Sequence, residues 1–142
     1  MLFPAVSQSQ ALSQTPQKTY GGTLLWGVYQ KPTIINPILT TQTISATLCQ
    51  LIFNGLVRIN SQGEIEPDLA RSWAISADGL TYTFCLRKGV KFHDGQECTA
   101  FDVEFTYDKL IDPVVNSPFK NIFQLVSEFK AIDTYTFRII LK

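Results

Sequence analysis

Apolar and polar residues alternate with different periods along the chain, and each period predicts an element. "TLLWGVY", Thr23 to Tyr29, is an unbroken apolar run of strand length and predicts a strand buried on both faces. Prolines 32 and 37 follow it, forbidding a helix and holding "QKPTIINPIL" to an extended or turning path, with Asn36-Pro37 as the turn. Ile44, Leu48, Leu51 and Ile52 then recur at helical spacing, which predicts an amphipathic helix with these four on its buried face and a stop near Gly55. Further on, Leu80, Tyr82, Phe84 and Leu86 alternate strictly with Thr81, Thr83, Cys85 and Arg87. With "RSWAIS" on the other side of Asp78-Gly79, this predicts an antiparallel hairpin with one buried face.

Between these segments "LVRI", a turn at "NSQGE" and "IEPDLARSW" predict a short hairpin-like unit and a one-turn helix begun by Pro67. Thr99 reads as the N-cap of a second helix, with Asp102 completing a capping box and Cys98 and Val103 forming a hydrophobic staple. Val103, Tyr107 and Leu110 or Ile111 line one face of that helix, and Asp112-Pro113 ends it. A short helix over Pro118 to Leu125 and a closing hairpin complete the pattern, with Phe129 and Ile132 on one arm and Tyr135, Phe137, Ile139 and Leu141 on the other. The predicted fold class is α+β, an antiparallel sheet with packed helices and no internal repeat.

Composition narrows the choice of partner. The 142 residues carry 12 basic and 12 acidic groups without a dense basic cluster, so nucleic acid is not an expected partner. No apolar run reaches the roughly 18 residues of a membrane span. Residues 1–19 are rich in Gln, Ser and Thr after a short apolar start, which reads as a signal-peptide remnant or a disordered leader. The three cysteines, 49, 85 and 98, lack zinc-ligand spacing, and no metal or other cofactor is expected. A Cys85–Cys98 disulfide is conceivable in a secreted protein, although the strand phase turns Cys85 away from the core.

The one histidine, His93, stands beside Asp94 and invites a catalytic reading. A triad needs a nucleophile and a third group, and no motif supplies them, whereas Asp-Gly after a strand makes a turn by local rules alone. No paired acid and base occur elsewhere, so the chain is not expected to be an enzyme. Arg87, Lys88 and Lys91 form a solvated basic edge.

"YGGTLLWGV", "INPILTTQTISATLCQLIFNGLVRI", "IEPDLARSWAISADGLTYTFCLRKGVKFHDGQECTAFDVEFTYDKLIDP" and "AIDTYTFRIILK" resemble, in order and spacing, the N-terminal part of the family 5 extracellular solute-binding proteins. These are the oligopeptide, dipeptide and nickel receptors of ABC importers. The resemblance covers Tyr20 to Lys142 and implies the first strand of lobe one plus the extra domain of a periplasmic-binding-protein type II-like receptor. Residues 20–39 would then be the lobe-one strand and cleft loop and residues 40–142 the extra α+β domain, with the receptor incomplete at the C-terminus. Phe101, where the family usually has an acid, and Cys85 and Cys98 depart from the pattern.

What the resemblance implies for function is a substrate-binding component that delivers small peptides to an ABC permease in the membrane, from a periplasmic or extracellular position. Tyr29, Gln30, Lys31, Pro32 and Thr33 fall on the wall of the ligand cleft, and the chain by itself is not expected to bind peptide at useful concentrations. The alternative is a regulatory or interaction domain that uses the same α+β unit without transport.

Overall fold

The computed structural model describes residues 21–23 and 25–142. The leader expected over residues 1–19 lies outside them.

Helix α1, Thr43–Ile52, is followed by a small antiparallel ladder of β1, Val57–Ile59, and β2, Ile65–Pro67. Asn60 makes the turn between them: its side-chain oxygen accepts from the amides of Gln62 and Glu64, both at 2.9 Å. Arg58 and Glu66, opposite each other in the ladder, form an exposed ion pair. The one-turn helix expected at Pro67 does not form. Pro67 pairs with Val57, and the chain runs straight on, because Leu69 and Ala70 donate to the carbonyls of Gly55 and Leu56 at 3.0 and 2.9 Å. An N-terminal proline suits a helix, but this backbone is already committed to a ladder.

The larger sheet has the order β3-β4-β6-β5, all antiparallel, from β3 (Ala70–Ile75), β4 (Thr81–Leu86), β5 (Val126–Asp133) and β6 (Thr136–Leu141). Between β3 and β4 the Asp78-Gly79 turn forms as expected. Gly79 has φ +75° and donates to Ser76 O, while Asp78 accepts from the Leu80 amide at 3.0 Å. Helix α2, Ala100–Ile111, lies across β5 and β6, and a 3-10 helix, Lys120–Leu125, leads back into β5.

One face of the sheet and α2 enclose the core, built from Phe84, Leu86, Ala100, Val103, Ala131 and Phe137. Tyr107 on α2 stacks on Phe129 at 4.6 Å and on Phe137 at 5.4 Å between ring centroids, and Phe123 meets it edge-on at 5.5 Å. This burial pushes the Tyr107 phenol above its ordinary pKa. The architecture is therefore the two-layer α+β arrangement expected, an antiparallel sheet with helices against it.

Other expectations change. Among the described residues of Thr23–Tyr29 there is no strand; Leu25 and Tyr29 are 92% and 87% exposed. A strand is defined by ladder bonds to a neighbour, and no described segment pairs with these residues. Helix α1 forms where its periodicity placed it, but turned: Ile44, Ser45 and Cys49 are buried, while Leu51 and Ile52 are exposed. In β5 it is Ala131, not Ile132, that joins Phe129 toward the core, with a register shift after Ala131. All three cysteines are free. Cys98 is buried beside the start of α2, whereas Cys85 follows the alternation of β4 to the other sheet face, so the two thiols do not meet.

Candidate functional site

Pro32 shapes the loop after the apolar run, and Gln42 and Ser45 hold it. The Gln42 amide nitrogen donates to the Lys31 carbonyl at 3.2 Å. The amide and hydroxyl of Thr33 both donate to Gln42 Oε1 at 3.1 Å, and the Thr33 amide also reaches Ser45 Oγ at 3.2 Å. Ser45, fully buried, donates in turn to Gln42 Oε1 at 2.7 Å. A few residues on, Asn36 turns the chain: its carbonyl accepts from the amides of Leu39 and Thr40, and its side chain accepts from Ile38. The strap so formed is tied to the rest of the molecule by buried Ser117, whose hydroxyl donates to the Ile38 carbonyl at 2.6 Å.

The five candidate residues divide. Lys31, Pro32 and Thr33 lie together against the start of α1, with Pro32 half-buried. Tyr29 and Gln30 are exposed and stand ahead of that anchor, and the Lys31 side chain is also in solvent. Two shallow hollows exist elsewhere. One, of about 300 Å³, lies between α1 and the 3-10 region and is lined by Thr40, Cys49, Phe53, Asn54 and Phe119 among others. The second, of about 270 Å³, lies beside Ile111, Lys120 and Phe123. Neither includes residues 29–33.

His93 sits in a turn, as expected: Gly95, at φ +90°, donates to Phe92 O, and Asp94 accepts from the Gln96 amide at 3.0 Å. The basic edge is partly used for structure. Arg87 donates to the Asp68 carbonyl at 2.7 Å, and Lys88 lies over the Tyr135 ring at 5.2 Å. The Tyr135 hydroxyl and the Gly89 amide both donate to Glu97 Oε1, at 2.8 and 2.9 Å, and these two bonds hold the Glu97 carboxyl below its ordinary pKa. Among the described residues, no group of three or more His, Cys, Asp and Glu side chains is placed to hold a metal ion, and no helix is long and apolar enough to cross a membrane.

Periodicity did not point to Gln42 or Ser45. The available signal was chemical: a glutamine stands where a helix start favours Ser, Thr, Asp or Asn, and a serine sits in the first turn, next to Ile44.

Comparison with known proteins places the chain in a family. The model of the bacterial extracellular solute-binding proteins, family 5 Middle, matches residues 64–142. The glutathione-binding protein GsiB of Escherichia coli is 33% identical over 110 residues, which are 78% of this chain and 22% of that protein. Among solved structures, the binding protein MoaA of A. tumefacien R10 in complex with mannopinic acid is 39% identical with a TM-score of 0.70, over 78% of this chain and 23% of that one. Haemophilus influenzae OppA, in complex with the peptide RPPGFSPFR, is 27% identical with a TM-score of 0.74, over 78% and 25%. The chain belongs to family 5 of the bacterial extracellular solute-binding proteins. It spans about a fifth of the length of the curated relatives it matches.

Proposed function

We propose that this chain is the N-terminal part of the substrate-binding component of an ABC importer, acting outside the cytoplasmic membrane on small peptides and without catalysis. Residues 20–39 contribute to lobe one and its ligand cleft, and residues 40–142 form the extra α+β domain. The observation that carries the reading is the family match over residues 64–142, on a fold shared with solved receptors. Peptide is the favoured ligand class because the similar proteins include one bound to a nonapeptide and one named for glutathione, itself a tripeptide. An exposed aromatic ring, Tyr29, beside an extended loop is chemistry suited to a peptide, whose backbone needs polar partners and whose side chains need an apolar wall.

The test is an exchange of segments. The aligned segment of this chain replaces its counterpart in the E. coli glutathione-binding relative, and glutathione binding and uptake are measured. A receptor segment gives a folded chimera that binds within about tenfold of the parent, a change of about 1.4 kcal/mol, and supports uptake. An interaction domain that merely shares the unit gives a folded chimera, with the parent's melting temperature, that neither binds nor transports; that result sinks the proposal.

A further inference from the structure

Gln42 straddles Pro32. It donates to the carbonyl of the residue before the proline and accepts from the amide of the residue after it, which is the service a neighbouring strand performs for an extended chain. Its orientation is fixed, because Oε1 receives hydrogens from the Thr33 amide, the Thr33 hydroxyl and Ser45, and only the oxygen end of an amide accepts them. The cost of this arrangement is visible at α1. Gln42 occupies the N-cap position yet makes no side-chain cap to the helix, so its amide serves the loop instead of the helix end.

We propose that Gln42, backed by Ser45, is a positioning residue that holds Lys31–Thr33 in one extended conformation and leaves ligand recognition to the side chains of Tyr29, Gln30 and Lys31. This rests on the reading of residues 29–33 as the cleft loop. The Thr33 amide and hydroxyl hydrogens are already donated internally and are not open to a ligand while those bonds hold. Tyr29 and Gln30, by contrast, are exposed and precede the anchor. A loop ordered in advance spares the ligand the cost of ordering it.

Two NMR measurements on the 142-residue chain test the proposal separately. The first is amide hydrogen exchange without ligand. Thr33 is protected in the unsubstituted chain; Gln42→Ala speeds its exchange by about tenfold, the loss of one hydrogen bond, and leaves Phe84 in β4 unchanged. Gln42→Glu, which keeps the accepting oxygen, restores the Thr33 protection. If Gln42→Ala leaves Thr33 exchange unaltered, the clamp is overturned whatever the chain binds. The second measurement is a titration with trialanine into the millimolar range, which detects weak contacts. Signals of Tyr29, Gln30 and the Lys31 side chain shift, the Thr33 amide does not, and the shifts shrink in Gln42→Ala. A Thr33 amide that moves as far as Tyr29 overturns the division of labour. Absence of any shift in residues 29–33 overturns that division together with the cleft-loop reading, while the exchange result still judges the clamp.

Discussion

Asp102 accepts from both the amide and the hydroxyl of Thr99, at 2.7 and 2.8 Å, and so starts α2 at a fixed residue. This was legible in the sequence, as were the turns at Asp78-Gly79 and His93-Asp94-Gly95, because each depends on neighbours within a few residues. Two predictions belong to this scale. His93→Ala, at an exposed turn position, should change stability by no more than about 0.5 kcal/mol, whereas Gly95→Val should cost about 1–3 kcal/mol by forcing a branched side chain to φ +90°. Thermal melts of the two variants decide it, and equal melting temperatures would contradict the turn reading. The other prediction concerns acid. Glu97 is held low by the Tyr135 hydroxyl and the Gly89 amide, Asp78 by the Ser76 hydroxyl and the Leu80 amide, and Asp133 first by the Tyr135 amide. A folded-state pKa below the unfolded one gives stability that is complete above the unfolded value and is lost as the pH falls through the folded value. The melting temperature should therefore drop between about pH 5 and pH 3, and Tyr135→Phe should make that drop shallower by releasing Glu97. A wild-type melting temperature that stays flat over that interval would count against both statements.

Whole elements were legible where periodicity and partner lie in the same stretch of chain. The β3–β4 and β5–β6 hairpins each pair with their sequence neighbour, so the alternation that predicts a strand also predicts what it pairs with. The 12-residue α2 likewise finds its sheet within the chain. Helix α1 differs: its spacing predicts a helix correctly, but which face is covered depends on the surface opposite, and no described residue covers Leu51 or Ile52. The described residues of the apolar run before Tyr29 form no strand for the same reason. Phe137 shows the opposite case. It is fully buried, opposite Phe84 in β6–β4 pairing and stacked on Tyr107, so its ring joins both layers of the core. Phe137→Ala should destabilise the chain by about 3–5 kcal/mol, through lost burial and the cavity left behind. Denaturant unfolding followed by far-ultraviolet circular dichroism measures this. A loss below about 1 kcal/mol would mean that the sheet and α2 do not share one core.

In the molecule as a whole, the buried core cluster runs from Ala70 in β3 to Phe137 in β6, while the part before β1 exposes Leu25, Trp26, Tyr29, Ile35, Leu51 and Phe53, as later segments expose Phe101, Phe105 and Leu125. The pattern marked a loop after an apolar run, and the resemblance named its five candidate residues. Its anchor was missed because Gln42 and Ser45 act across a gap of nine to twelve residues that no period connects. A receptor that encloses its ligand between two lobes divides the contacts between two walls, and the Tyr29 to Thr33 loop belongs to one of them on the proposed reading. The ligand still gives up most of its translational and rotational freedom on meeting a single wall. A micromolar receptor has about −8 kcal/mol of binding free energy; half of that leaves about −4 kcal/mol, a millimolar affinity. This chain alone should accordingly show no saturation by short peptides at micromolar concentration. Trp26, half exposed and three residues before Tyr29, is placed to report it by fluorescence, with Trp73→Phe removing the second indole. Saturable micromolar binding by the monomer would show that the loop wall suffices, and would move the ligand-binding function from the assembled cleft to this segment by itself.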